Sequence, residues 1–220
     1  MRSAITTEID AIRSGLVELA SRVLKQIERS VAAWDETDPG LAAEVIALDE
    51  EVDNLCAALD WQIYQTQLLQ SPVAGDQRLL HVGLIAAIAL ERVGDLAVDI
   101  SVAASSVPAS GRVPEIQALI TKMSARAVDC LVRSIQAIAR GDVQLASQAV
   151  EESRAVRGML DDLLGAASHA GDEPEVKAWT ATAVLVGRHL ERVANNGREL
   201  GGRVEFLVDG RPFSRARSDG

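Results

Sequence analysis

Apolar residues recur along the chain at spacings of three and four. The first series is Ile5, Ile9, Ile12, Leu16, Leu19, Val23, Ile27, Val31 and Trp34, the stripe of one long amphipathic helix over about 3–36. Thr37-Asp38-Pro39 then supplies a capping side chain followed by proline at a first helical position, so a second helix starts there. Its stripe of Leu41, Val45, Leu48, Val52, Leu55, Leu59 and Ile63 ends near Leu69, ahead of Ser71-Pro72. A third helix, with Asp76 as its expected cap, extends to about Ser105, and Ser105 to Arg112 is rich in turn formers and reads as a linker. Val113, Ile116, Leu119, Met123, Ala127, Leu131, Ile135 and Ile138 mark a fourth helix. Gly141-Asp142 stops it and caps a fifth, which runs to about Ala167; a sixth is expected from about Glu175 to Val208.

The pattern repeats. At an offset of 104, Ile12 falls on Ile116, Arg22 on Arg126, Arg29-Ser30 on Arg133-Ser134, Asp38 on Asp142 and Leu41-Ala42 on Leu145-Ala146. Beyond the loop at 70–75 the offset becomes 100, and Glu91-Arg92-Val93 falls on Glu191-Arg192-Val193. Matched polar residues are not produced by helical periodicity alone, so the chain divides into two tandem pseudo-symmetric three-helix units, 1–106 and 112–208, with 209–220 as a disordered tail. Long helices with short connections pack antiparallel. Low aromatic content, 3%, within a 48% apolar composition fits the same all-α class, with layers packed on aliphatic side chains.

Charge narrows the function. A net charge of −10 leaves no basic stripe for phosphate contacts, which argues against nucleic acid. Cys56 and Cys130 both sit within apolar helical patterns and read as small buried hydrophobes in a reducing compartment. No run is long and apolar enough for a signal or membrane span, so a soluble cytoplasmic protein is expected.

The candidate chemistry is acidic. Glu91, Asp95 and Asp99 stand at i, i+4 and i+8 directly after the apolar run Val82 to Leu90, and a helix apolar on nearly every side is a buried one. Such a row needs a cation, solvent or a neighbouring arginine, with Arg78 and Arg92 the nearest in sequence. Asp49 and Asp53 form a second i, i+4 pair on the preceding helix. Counting from the turn, the two pairs should lie level across the hairpin, an oxygen-rich set suited to Mg²⁺, Mn²⁺ or Fe, with solvated surface acids as the plainer reading.

Three stretches together resemble the PhoU family: Ala47-Leu48-Asp49-Glu50-Glu51-Val52-Asp53, Ser71 to Leu79, and Leu90-Glu91-Arg92-Val93-Gly94-Asp95-Leu96-Ala97. The duplication and Arg188-His189-Leu190-Glu191-Arg192-Val193-Ala194 extend the resemblance over nearly the whole chain. Membership implies paired three-helix bundles whose acidic motifs bind divalent or transition metals (Mg, Mn, Fe or Zn). It also implies a non-enzymatic cytoplasmic regulator linking the phosphate ABC transporter, through its ATPase subunit, to a sensor histidine kinase. A homodimer is expected. The second repeat departs from the pattern: Asp49 maps onto Ser153, Asp53 onto Arg157, Asp95 onto Asn195 and Asp99 onto Glu199, and only Glu191 is unchanged. Metal is therefore expected on Asp49, Asp53, Glu91, Asp95 and Asp99, with Glu191, Asn195 and Glu199 a weak or absent second site. Arg157 either reaches Glu191 in place of a cation or extends to solvent.

Two rival classes stand beside this reading, a carboxylate-bridged metalloenzyme and a metal-free helical adaptor. Against the first, no glutamate is followed by histidine at the spacing that di-iron bundles use, and His81, His169 and His189 are isolated. Trp34, Trp61, Trp179 and Tyr64 lie on helix stripes or shoulders and are expected to serve packing and not to form a stacking platform.

Overall fold

The computed structural model describes residues 2–211, with side chains from residue 5 onward. Every regular element among them is helical: α1 (Arg2–Glu36), α2 (Pro39–Gln70), α3 (Gly75–Ser106), α4 (Pro114–Arg140), α5 (Val143–Ala167), α6 (Pro174–Gly202) and the short α7 (Val204–Asp209), with a single 3-10 turn at Ala109–Gly111 in the linker. The six long helices form two three-helix bundles. α1, α2 and α3 pack mutually, as do α4, α5 and α6, and the bundles meet where α3 lies on α6 and α1 on α4. One continuous hydrophobic cluster crosses that junction, from Leu19, Val23 and Ile27 through Leu90 and Val93 to Leu131 and Leu190. Trp34 at the end of α1 stacks on Trp179 at the start of α6, ring centroids 5.5 Å apart.

The repeat is visible in the caps. Asp38 accepts from the amides of Gly40 and Leu41, and Asp142 from those of Gln144 and Leu145, two and three residues on in each case. Each carboxylate thereby satisfies two of the amides that a helix start leaves unpaired.

Three expectations change. Asp76 lies inside the first turn of α3; the cap residue is Ala74, which has no side-chain bond to offer. The carboxylate is instead two residues too far along the chain to cap the helix and acts through the helix dipole. The sixth helix does not run unbroken to Val208. It stops after Gly201-Gly202, residues of low helix propensity, and Arg203 turns the chain so that Val204 joins a small cluster with Ala137 and Ala146. Of the segment expected to be disordered, Asp209 closes α7 and Gly210 caps it in the left-handed conformation, φ 74°; 212–220 lie outside the described residues.

Candidate functional site

Helix α3 presents Glu91, Asp95 and Asp99 along one edge, and α2 brings Asp49 and Asp53 alongside. The hairpin does place the pairs level: a β-carbon added at Gly94 would stand 3.5 Å from Asp49 Oδ1. Glu91 and Asp49 are half-buried, while Asp53, Asp95 and Asp99 are exposed. The charges are felt mutually. The Glu91 carboxyl is held above its ordinary range, first by burial of the charged form and then by Asp95, Asp53 and Asp49, with Arg92 opposing. The Asp95 carboxyl is raised by burial, then by Asp49, Asp53 and Asp99, with Arg192 opposing.

Neither arginine considered from the sequence closes this row. Arg78 is turned away, donating to the carbonyl oxygens of Leu207 and Val208, and Arg92 is exposed and acts on Glu91 only at a distance. Among the described residues no cationic side chain lies within ion-pair distance of Asp49, Asp53, Glu91 or Asp95. Nor do any three His, Cys, Asp or Glu side chains among them converge closely enough to hold one ion as they stand.

Beneath the row lies a residue that the sequence reading missed. Gln26 of α1 is fully buried and donates to Asp49 Oδ1 at 3.0 Å and to the Val45 carbonyl at 3.3 Å. Its own Oε1 has no partner and sits 3.0 Å from where a β-carbon at Gly94 would be. Gly94 thus makes room for a large amide that fixes Asp49. In the second repeat Ala194 replaces Gly94 and the smaller Cys130 replaces Gln26. Its thiol reaches the Ala149 carbonyl, the equivalent of the Val45 carbonyl, at 3.1 Å. The signal was a polar residue three positions from Val23 and next to Ile27, on the apolar face of the first stripe.

The second repeat answers its acid internally. Glu191 is 3% exposed. Its Oε2 receives Arg188 Nη1 at 2.8 Å, its Oε1 receives Asn195 Nδ2 at 2.7 Å, and Arg157 Nε approaches Oε1 at 3.9 Å. Arg157 therefore does reach toward Glu191, but the closer cation is Arg188, one helical turn away on the same helix. Ser153, at the position of Asp49, bonds Asn195, and Glu199 is taken by Arg203 at 3.2 Å.

The first row is also touched from the other bundle. His189 of α6 stands 3.6 Å from Asp99, and burial holds its imidazole below the ordinary range, with Asp99 raising it and Arg192 lowering it. Cys56, free and half-buried among Glu91, Asp60 and Asp53, is pushed up to about 11 by burial and those acids. The five acids of the first row, Asp49, Asp53, Glu91, Asp95 and Asp99, donate through oxygen alone.

A raised carboxyl pKa fixes the sign of a pH effect. The folded state binds these protons more tightly than the unfolded chain, so metal-free protein gains stability as pH falls through the raised values toward the ordinary ones, and loses it as pH rises. In chelator, the Glu91→Gln, Asp95→Asn double variant should melt above wild type at neutral pH and converge with it near pH 4. Parallel melting curves across that range would show that the row carries no repulsion.

These features define a class: a two-repeat helical bundle whose distinctive surface is a row of carboxylates held by a hairpin. The PhoU domain profile matches residues 16–104. A PhoU homolog of Pseudomonas putida, a phosphate-specific transport system accessory protein, is 26% identical over 204 residues, covering 92% of this chain and 80% of that one. PhoU homolog 2 of Mycobacterium tuberculosis, similarly described, is 27% identical over 214 residues, covering 96% and 99%. The crystal structure of PhoU from Pseudomonas aeruginosa superposes with a TM-score of 0.86 at 23% identity, covering 94% of this chain and 99% of the other. Residues 16–104 match the PhoU domain profile, and the chain as a whole is similar to PhoU proteins in sequence and shares their fold.

Proposed function

We propose that this protein is an accessory protein of phosphate uptake, acting in the cytoplasm by binding partners and not by catalysis. The observation that carries the reading is end-to-end similarity to proteins described as phosphate-specific transport system accessory proteins, spanning 80% to 99% of their lengths. Its partners are then the ATPase subunit of the phosphate transporter and a sensor histidine kinase, and it works as a homodimer. Among the described residues no helix is long and apolar enough to cross a membrane, which suits a partner-bound protein.

Asp49, Asp53, Glu91 and Asp95, with Asp99 at the end of the row, would hold a divalent cation. The fit rests on three features: the donors are all oxygen, the acids repel one another, and the described residues supply no ion-pair partner to the first four. A bound cation would supply the missing countercharge and stiffen the α2–α3 edge that faces a partner; small rotamer changes must close the carboxylates around it. Glu191, Asn195 and Glu199 do not fit, because their side chains are committed to Arg188, to Glu191 itself and to Arg203. One repeat is therefore cation-dependent and the other neutralised by its own arginine.

The test is phosphate-dependent repression. In cells lacking the gene, a phosphate-starvation reporter should be active in rich phosphate; wild type should silence it and Glu91→Ala, Asp95→Ala should not. Full silencing by the double variant would remove the acidic row from the mechanism, and failure of wild type to silence would remove the accessory role.

A further inference from the structure

The outer face of α2 carries an apolar seam that no other element among the described residues covers. Ala57, Trp61, Tyr64 and Leu68 recur at spacings of four, three and four, on the side of α2 opposite Val45, Val52, Leu59 and Ile63, which it buries against α1 and α3. Trp61 is 59% exposed and Leu68 65%, and Trp61 and Tyr64 stack on each other with centroids 5.5 Å apart. Leu69, in the last turn of α2, and Val73, just after it, prolong the patch and are also exposed. Trp61 and Tyr64, expected from the sequence to serve packing and not to form a stacking platform, are shoulder positions that the three-helix bundle turns outward, where they stack on each other. Exposed tryptophan, tyrosine and leucine in one stripe are the composition of an interface core and not of a solvated face.

The feature belongs to one repeat. At the same offset of 104, Trp61, Tyr64 and Leu68 correspond to Gly165, Ser168 and Asp172, so the fold itself does not require it.

Charge selects the occupant. α2 contains Glu44, Asp49, Glu50, Glu51, Asp53 and Asp60 and no lysine, arginine or histidine. Arg29 and Arg22 of α1 pair with Glu44 and Glu51, leaving Glu50 and Asp60, which lie outside the cation row, beside the seam without an ion pair among the described residues. A second copy of α2 would bring acid onto acid, and an anionic lipid surface would be repelled. We infer that the α2 face docks a basic amphipathic helix of a partner polypeptide: its apolar stripe covers Ala57 to Leu68, its arginines and lysines meet Glu50 and Asp60, and an arginine lies over the Trp61–Tyr64 pair. This deepens the accessory-protein reading by naming the surface and the chemistry of its partner. It is tested without phosphate signalling, so its failure would leave that reading standing.

The probe is a synthetic helix of about three heptads with leucine at the a and d positions and lysine or arginine elsewhere, compared by calorimetry with a scrambled peptide of the same composition and with a glutamate-for-lysine version. Full-length wild type should bind the amphipathic basic peptide roughly tenfold or more tightly than either control. Trp61→Ser, Leu68→Ser should lose that preference with an unchanged melting temperature, and Leu185→Ser, on α6, should keep it. Equal binding of the scrambled peptide would reduce the effect to bulk charge and overturn the proposal. So would undiminished binding by Trp61→Ser, Leu68→Ser. Self-association or vesicle binding abolished by the same double variant would overturn it too, assigning the seam to a second copy or to a membrane.

Discussion

Trp34→Ala is expected to lower stability by about 3–4 kcal/mol, the sum of a buried tryptophan truncation near the lower part of its usual range and a lost aromatic stack, less the relief of one unpaired donor. The donor is the Trp34 indole nitrogen, which is buried without a hydrogen-bond partner. Trp34 is 3% exposed and stacks on Trp179 across the junction of the two bundles, so the cavity would open where α1 meets α6. For a chain of this size that loss corresponds to roughly 10 °C in melting temperature. Trp61→Ala is the internal control: it removes the same side chain from an exposed site and should change stability by no more than about 0.5 kcal/mol. Comparable losses in the two variants would mean that the bundles are not joined through Trp34.

Gly111→Ala is expected to cost about 3 kcal/mol, at the upper end of overpacking penalties, because the obstacle is backbone. A β-carbon at 111 would stand 2.1 Å from the Glu175 carbonyl oxygen and 3.0 Å from the Trp179 β-carbon. Neither can rotate away as a side-chain tip could, so the linker must lift from the first turn of α6. Gly158→Ala provides the contrast, since nothing lies within 4 Å of the added carbon and α5 should gain roughly 0.5–1 kcal/mol from better helix propensity. Chemical denaturation of both variants checks the pair, and a neutral Gly111→Ala would contradict the packing described. Combined with Trp34→Ala the loss should fall short of the sum, because both substitutions act at the Trp179 contact.

What could be read from the chain depended on how far each cause reaches along it. Asp38 and Asp142 were legible as caps because capping needs only residues two and three positions on. The row Glu91, Asp95, Asp99 followed from helical spacing, and its alignment with Asp49 and Asp53 from counting outward from a short turn. The partners of these acids were not legible, because they arrive through packing between helices distant in sequence. Gln26 hydrogen-bonds Asp49 from α1, and from the other bundle His189 stands beside Asp99 while Arg192 acts on Asp95 only at a distance. Arg157 was visible by alignment with Asp53, whereas Arg188, the closer partner of Glu191, has no counterpart in the acidic pattern. Trp61 and Tyr64 were misread for a related reason: a stripe fixes which face of a helix is apolar, but a helix apolar on two faces does not state which of them its neighbours cover. The stop at Arg203 depended on Val204 finding Ala137 and Ala146, again a contact made far from its own stretch.

The two repeats differ in how their acids are answered: Glu191 is neutralised within the second repeat, whereas the first is proposed to need a cation. Equilibrium dialysis against Mn²⁺ followed by elemental analysis tests this difference most directly, using wild type, Glu91→Ala, Asp95→Ala and Glu191→Gln. Wild type should retain Mn²⁺, the double variant should lose it, and Glu191→Gln should retain as much as wild type. Undiminished Mn²⁺ on the double variant, or a loss on Glu191→Gln equal to that of the double variant, would contradict the account.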